Sequence, residues 1–240
     1  LLFDKDTTQS WNFSGLGATQ TIGLLAIIWI LGVTFFSTRG MDFVAKVGSI
    51  GGIFTIVLNV IFCVASVVIW IADHGALKQP ITSWSSFTTS PNPDFSTLVA
   101  LLSFVVYAIF AYAGMESLGG VMDDIEKPEK TFPRAVLIST LVIALSYSLM
   151  IFMWGISTNW QEIIGNNEAN LGNITYVLMN NLGVVLGQTL GLAAQTSQFL
   201  GVLMTRFAGL GMFIGYVGAF FILVYSPIKS FILGSDPKLW

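Results

Sequence analysis

Apolar runs separated by short polar connections dominate this chain, and their length, more than any periodicity, predicts the structure. Residues 16–38, 47–72, 96–122, 134–157 and 200–228 are each long and apolar enough to cross a bilayer. An α-helix rising 1.5 Å per residue needs about 20 residues for roughly 30 Å of hydrocarbon. Lipid offers no hydrogen-bond partner, so a spanning run must bond its backbone internally, and the pattern predicts helices. Residues 158–199 read differently. Asn159–Asn173 is polar and rich in Gly and Asn, Ile174–Leu182 predicts a short helix, and Gly183, Gly187 and Gly191 form a small-residue run. This stretch is either an outer hairpin or a sixth span. Asn180, Asn181, Gln188, Gln195, Thr196 and Gln198 favour the hairpin.

One run breaks the rule that a spanning helix carries no charge and little glycine. Phe95 to Met115 is uncharged, but Gly114 near its end and Gly119 and Gly120 just beyond it surround Glu116. Each glycine costs a helix about 1 kcal/mol relative to alanine. Non-helical backbone at membrane depth survives only where protein covers it or where it lines a watery cavity. The pattern therefore predicts a discontinuous helix, the device by which secondary transporters build a substrate site.

Composition agrees with the apolar runs. Hydrophobic residues make up 54% of the chain and charged residues 10%, against about 25% charge in soluble domains. The fold class is all-α integral membrane. The basic residues are scattered singly, so no nucleic-acid surface is expected. Cys63 is the sole cysteine, which excludes a disulfide framework and a paired-cysteine metal site. The chain opens on polar Asp4–Ser10 with no signal-peptide pattern, so insertion is expected to use the internal spans. No zinc-protease, phosphate-loop or nucleophile-elbow motif occurs, and no cofactor or metal is implied. Asp123-Asp-Ile-Glu126 suggests an intramembrane magnesium-dependent prenyltransferase as an alternative, but such an enzyme needs a second acidic cluster. The cluster is better read as anchoring a loop, with Pro128 and Pro133 ending and starting helices. Thr55 and Asn59 share a helical face and either touch a pathway or bond a neighbouring helix; His74 reads as a solvated loop residue.

Lysine and arginine set the orientation. Arg39, Lys46, Lys127, Lys130, Arg134, Lys229 and Lys238 fall on one side of the predicted spans, and Lys5, Lys78 and Arg206 on the other. The positive-inside rule places Asp123–Arg134 in the cytoplasm. Trp11, Trp70, Trp84, Trp154 and Trp160 then lie near the outer boundary, where interfacial anchors belong.

Phe110-Ala-Tyr-Ala-Gly-Met-Glu-Ser117, followed by Asp124-Ile-Glu-Lys-Pro-Glu-Lys-Thr-Phe-Pro-Arg134, closely resembles the sixth transmembrane helix and following loop of the amino acid, polyamine and organocation (APC) superfamily. Thr38-Arg-Gly40, Ala45-Lys-Val-Gly48 and Gly51-Gly-Ile53 resemble that superfamily's passage from helix 4 to helix 5, particularly in the glutamate:GABA antiporter branch. Ser226-Pro-Ile-Lys229 with Asp236-Pro-Lys238 resembles the end of helix 8. The resemblance implies helices 4 to 8 of an inverted-repeat, LeuT-like fold, with helices 1 to 3 and 9 to 12 outside this chain. It implies a multi-pass inner-membrane permease that carries amino acids by alternating access as an antiporter, or alternatively as a proton-coupled symporter. With half of the substrate site elsewhere, this stretch is not expected to transport alone. Thr55 stands near the position where some members carry a coupling lysine, which argues against that device here.

The small-molecule substrate explains the break. An amino acid brings a carboxylate and an ammonium into a low-dielectric place, where each unpartnered charge costs several kcal/mol. Backbone N–H groups at a half-helix start suit the carboxylate; carbonyls at a half-helix end suit the ammonium. By resemblance the carbonyls of Phe110, Ala111 and Ala113 take the ammonium, Tyr112 and the Gly114 backbone shape the pocket, and Phe110 or Tyr112 gates it. Glu116, a carboxylate inside an apolar run, either anchors or gates the inner helix end or carries the coupling proton.

The orientation has a direct check. In a background lacking Cys63, a cysteine at Ser90 should react with an impermeant maleimide from outside intact cells, and one at Thr131 should not. Equal labelling at both positions overturns the assignment.

Overall fold

A computed structural model of the chain describes residues 15–90, 92, 96–110, 112, 114–165 and 173–235. Every regular element among them is helical: α1 (Ala18–Ser37), α2 (Met41–Ala72), α3 (Ser85–Thr88), α4 (Leu98–Ser103), α5 (Val105–Phe110), a 3₁₀ segment (Met115–Asp124), α6 (Pro128–Ile156), α7 (Trp160–Gly165), α8 (Ile174–Thr189) and α9 (Ala194–Gly234). Among the described residues, 4 helices are long and apolar enough to cross a membrane: Ala18–Ser37, Met41–Ala72, Pro128–Ile156 and Ala194–Ile232. Their large apolar side chains face outward. Leu31, Phe35, Ile53, Leu145 and Ile151 are each more than half exposed. In water such surfaces would associate; in hydrocarbon they are solvated, and this is a multi-pass membrane protein.

The helices extend past the apolar runs because their ends are set by local hydrogen bonding. Helix α2 begins at Met41, before Asp42 and Lys46, and α9 begins at Ala194. Helix α6 begins at Pro128, a residue suited to a first helical position because the N–H it lacks would find no partner there. Pro133 lies inside α6 and does not start a helix. Helix α8 ends in a Schellman turn: Leu192 N–H donates to the Gly187 carbonyl at 2.9 Å, Gly191 N–H donates to Gln188 at 3.0 Å, and Gly191 holds φ +73°. The same motif closes α2, with Gly75 N–H donating to Trp70 at 2.8 Å and His74 at φ 54°.

The described chain divides into two compact units. The first comprises residues 1–55, 114–139 and 210–240. Its core joins Val33 of α1, Val44 of α2 and Phe221 of α9, with Trp29, Met41, Phe43 and Val217 against them. Trp29 meets Phe213 at 5.6 Å between ring centres, and Phe43 meets Phe221 edge-on at 5.7 Å. Glycine sets how closely α2 and α9 approach. A methyl group on Gly218 would lie 2.8 Å from Gly48 Cα, and one on Gly51 would lie 2.9 Å from the Ile214 carbonyl oxygen. Between helices in lipid, where water expulsion drives nothing, such backbone contact is a main source of attraction.

The second unit comprises residues 56–113 and 140–209. Leu58, Phe62, Ala65 and Ile69 of α2 pack with Met179 and Leu182 of α8 and Ala208 of α9. Trp154, half-buried, packs edge-on against Phe62 at 6.0 Å and lies against this core. Trp84, 78% exposed, and Trp70, 46% exposed, are open to the surroundings. Residues 158–199 hold α7, the compact α8, the Schellman turn and the first residues of α9. Gly183, Gly187 and Gly201 leave room for no methyl group, each position lying against backbone of the facing helix. Asp73 and Lys78 pair at 2.9 Å in the connection after α2, and the Lys78 N–H donates to the Ile156 carbonyl at the end of α6.

If the glycine contact fixes the α2–α9 crossing, Gly218→Ala should lower the thermal stability of the protein in detergent, by about 1–3 kcal/mol on the usual scale for overpacking. Gly52→Ala is the control: nothing lies within 4 Å of a methyl group there, and its stability should be unchanged or slightly raised. Equal effects from the two substitutions would remove the case for a size-limited crossing.

Candidate functional site

The run from Phe95 to Met115 does not form one helix. Helix α4 ends at Ser103, whose hydroxyl turns back to the Ala100 carbonyl, and α5 ends at Phe110. The turn begins with Tyr112 N–H donating to the Ile109 carbonyl at 3.0 Å, an i to i+3 bond tighter than the helical one. The last turn of any helix carries carbonyls that the helix itself cannot satisfy. In the second unit, then, α5 ends at Phe110 and half-buried Tyr112 follows it.

In the first unit the chain resumes at Gly114, with φ +98° and ψ −13°. An L-residue with a Cβ is strained at that φ, and glycine is not. Nothing lies within 4 Å of where a Cβ would stand, so the constraint comes from the backbone and not from crowding. Gly114 caps the 3₁₀ segment, and its carbonyl accepts the Ser117 N–H at 3.1 Å. Glu116 lies in the first turn of this segment. Of the residues expected to form the site, Phe110, Tyr112 and Gly114 flank the break. Ala111 and Ala113 lie outside the described residues.

The 3₁₀ segment is fastened along its length to the last turns of α9 by contacts between residues far apart in sequence. The Ser226 hydroxyl donates to the Ser117 carbonyl. A methyl group on Gly120 would collide with the Ser226 hydroxyl and stand 2.5 Å from that of Ser230. The Lys229 Nζ lies 2.8 Å from Asp123 and 2.5 Å from Asp124. This hydrogen bond from the lysine ammonium holds the Asp123 carboxyl below the usual carboxylate range. Both aspartates of the supposed magnesium motif are thus engaged by a lysine. No group of acidic, histidine or cysteine side chains among the described residues is arranged to hold a metal ion.

Thr55 donates to the Gly51 carbonyl at 2.9 Å, within its own helix. A mostly aliphatic groove of about 410 Å³ runs along α2 and α6 past Asn59, Cys63 and Ser146. Neither Tyr112 nor Gly114 lines it.

Residues 5–232 match the amino acid permease family. This chain belongs to that family. Its relatives include the inner membrane transporter YjeM of Salmonella typhimurium, 46% identical over 239 residues, which cover 100% of this chain and 47% of that protein. The glutamate/gamma-aminobutyrate antiporter of Lactococcus lactis is 29% identical over 141 residues, covering 58% of this chain and 26% of that protein. The human cystine/glutamate transporter is 26% identical over 121 residues, covering 48% and 24%. No solved structure matches the chain. The chain spans about half the length of the curated relatives that match it from end to end.

The left-handed backbone at Gly114 predicts a graded mutational response. Gly114→Ala should impair transport by the intact protein through strain of about 1–2 kcal/mol at that residue. Gly114→Asn should impair it less, because asparagine tolerates positive φ, and Gly114→Leu should be at least as severe as alanine. Uptake at equal membrane abundance is the measurement. Normal uptake by the alanine and leucine variants would mean that the positive φ is dispensable.

Proposed function

We propose that this chain is part of an inner-membrane amino acid antiporter that works by alternating access, with the backbone around Phe110–Gly114 supplying part of the substrate site. The observation that carries this reading is the break itself. A helix end at Phe110 and a positive-φ glycine at 114 interrupt an uncharged segment of an amino acid permease. Carbonyls of Phe110, Ala111 and Ala113 take the substrate ammonium, Tyr112 and Gly114 shape the pocket, and Phe110 or Tyr112 closes over it. Glu116, at the start of the inner segment, anchors or gates that segment or carries a proton. The names of two relatives support exchange and amino acid cargo, one an antiporter of glutamate and gamma-aminobutyrate and the other a transporter of cystine and glutamate. Proton-coupled symport is the second reading, favoured by the carboxylate of Glu116 inside an apolar run.

Counterflow separates the two. The intact protein in liposomes, given labelled L-glutamate outside, should accumulate label only when the lumen is loaded with an unlabelled amino acid, tested one at a time. Accumulation in unloaded vesicles that follows an imposed proton gradient would overturn exchange in favour of symport. No accumulation with any amino acid loaded, in vesicles shown to contain folded protein, would overturn the amino acid reading.

A further inference from the structure

The cations of this chain differ in what holds them. Lys229 has Asp123 and Asp124, Lys78 has Asp73, and the Arg39 guanidinium lies over the rings of Phe36 and Phe43 at 5.1 and 5.7 Å. Lys130 and Arg134, both exposed, make no ion pair or ring contact among the described residues, and neither Glu126 nor Glu129 pairs with them. At about 100° per residue, Lys130 and Arg134 share one face of α6 with Leu137 and Ile138. Leu137 is 62% exposed and Ile138 53%. Glu129, in the first turn of α6, falls about 120° around the helix from the middle of that face. Thr131 borders the face, and its hydroxyl donates to the Glu126 carbonyl at 2.8 Å. The whole face belongs to the first unit.

Depth gives this pair of cations its meaning. From Ala135 to the end of α6 at Ile156 no charged residue occurs. That length is about 33 Å at 1.5 Å per residue, close to the roughly 30 Å of hydrocarbon in a bilayer. Arg134 therefore stands at the edge of the hydrocarbon and Lys130 about 6 Å farther out, the depth of the lipid headgroups. Leu137 and Ile138 stand one turn inside, at the depth of the first acyl carbons. A ligand with a negative head directly above an apolar chain matches all four residues at once. Free phosphate has nothing to set against Leu137 and Ile138.

We propose that the start of α6 binds an anionic phospholipid, its phosphate held between Lys130 and Arg134 and an acyl chain lying along Leu137 and Ile138. The head must carry a net negative charge, because a zwitterionic head brings its own cation to the same place and offsets the attraction. Basic residues at this depth each add to the affinity for an anionic lipid surface. The site needs only that α6 crosses the membrane, and it owes nothing to the transport reading.

The test uses the intact protein with all other cysteines replaced and a bimane fluorophore on Leu137→Cys or, separately, on Ile138→Cys, so that each label leaves the other residue in place. The protein is reconstituted in bilayers of phosphatidylglycerol and phosphatidylcholine, with the acyl chains of one lipid brominated at a time. Bromine quenches a fluorophore it touches, so the two experiments give the relative affinity of the two lipids at that position. Phosphatidylglycerol should be preferred by about fivefold or more, the scale of one basic residue at a headgroup. The same label on Ile53→Cys of α2, where Ile53 is 64% exposed, should show a preference below about twofold. Lys130→Gln combined with Arg134→Gln should bring the preference beside α6 down to that level, and Lys130→Gln alone should at least halve it. Lys130→Arg should keep it, and Lys46→Gln, which removes an exposed charge from α2, should leave it unchanged. Raising KCl from about 50 to 500 mM should weaken it, because the contact is ionic and open to solvent. A preference at either labelled position that depends on Lys130 and Arg134 establishes the site. Equal quenching by the two lipids at both positions would overturn it. So would a preference that is the same at Ile53 or that survives the double glutamine variant, since both outcomes report the charge of the whole protein. Quenching by neither lipid beside α6, with Ile53 quenched normally, would mean that the rest of the protein or a partner covers this face, and would overturn the site as well.

Discussion

Every feature of this chain answers to one constraint: in hydrocarbon, a backbone N–H or C=O without a partner costs several kcal/mol. The constraint makes α1, α2, α6 and α9 long and continuous, and it makes any interruption conspicuous. Between Ser103 and Met115 the chain is interrupted at Phe104 and again after Phe110. A sequence under this constraint keeps such a defect only when the groups it releases have somewhere to go. Under the proposed transport function, an amino acid, itself a carboxylate and an ammonium, is the partner that would suit both kinds of released group.

The same constraint explains how the helices are held together. Apolar side chains gain nothing from leaving lipid for protein, so attraction between helices has to come from close backbone contact and from the few polar bonds that can form. Gly48 and Gly51 against Gly215 and Gly218 supply the first in one unit, and Gly183, Gly187 and Gly201 supply it in the other. Ser226 and Lys229 supply the second. Large aromatics fill what remains, as Trp29 does between Phe213 and Phe220 and Trp154 does beside Phe62.

The apolar runs made the long helices legible, because in a membrane length and hydropathy decide helix formation with little competition. Their ends were less so. Met41, Pro128 and Ala194 begin helices outside the apolar runs, since a helix continues into polar residues as long as its hydrogen bonds are made. Gly114 marked a positive-φ position, a local requirement that residue identity reveals, whereas Gly119 and Gly120 lie inside the 3₁₀ segment and the interruption at Phe104 carries no glycine. The ring contact of Trp154 with Phe62 was not legible, since an aromatic at a span end looks the same whether it faces lipid headgroups or a neighbouring ring. The pairing of Lys229 with Asp123 and Asp124 joins residues far apart in sequence, and no local pattern encodes it. A signal existed all the same: a lysine at the end of one apolar run and two aspartates at the end of another are charges that need partners near the same membrane boundary.

Composition and position together also decide what Asp123 and Asp124 are for. Adjacent aspartates suit a divalent cation when their oxygens converge on an empty space with further ligands opposite. Here they converge on the ammonium of Lys229, a side chain only 14% exposed. Moving a metal ion into that position would have to displace Lys229 and leave its charge with little solvent and no counter-ion, which is the more expensive arrangement. The charge cluster therefore ties the 3₁₀ segment to α9.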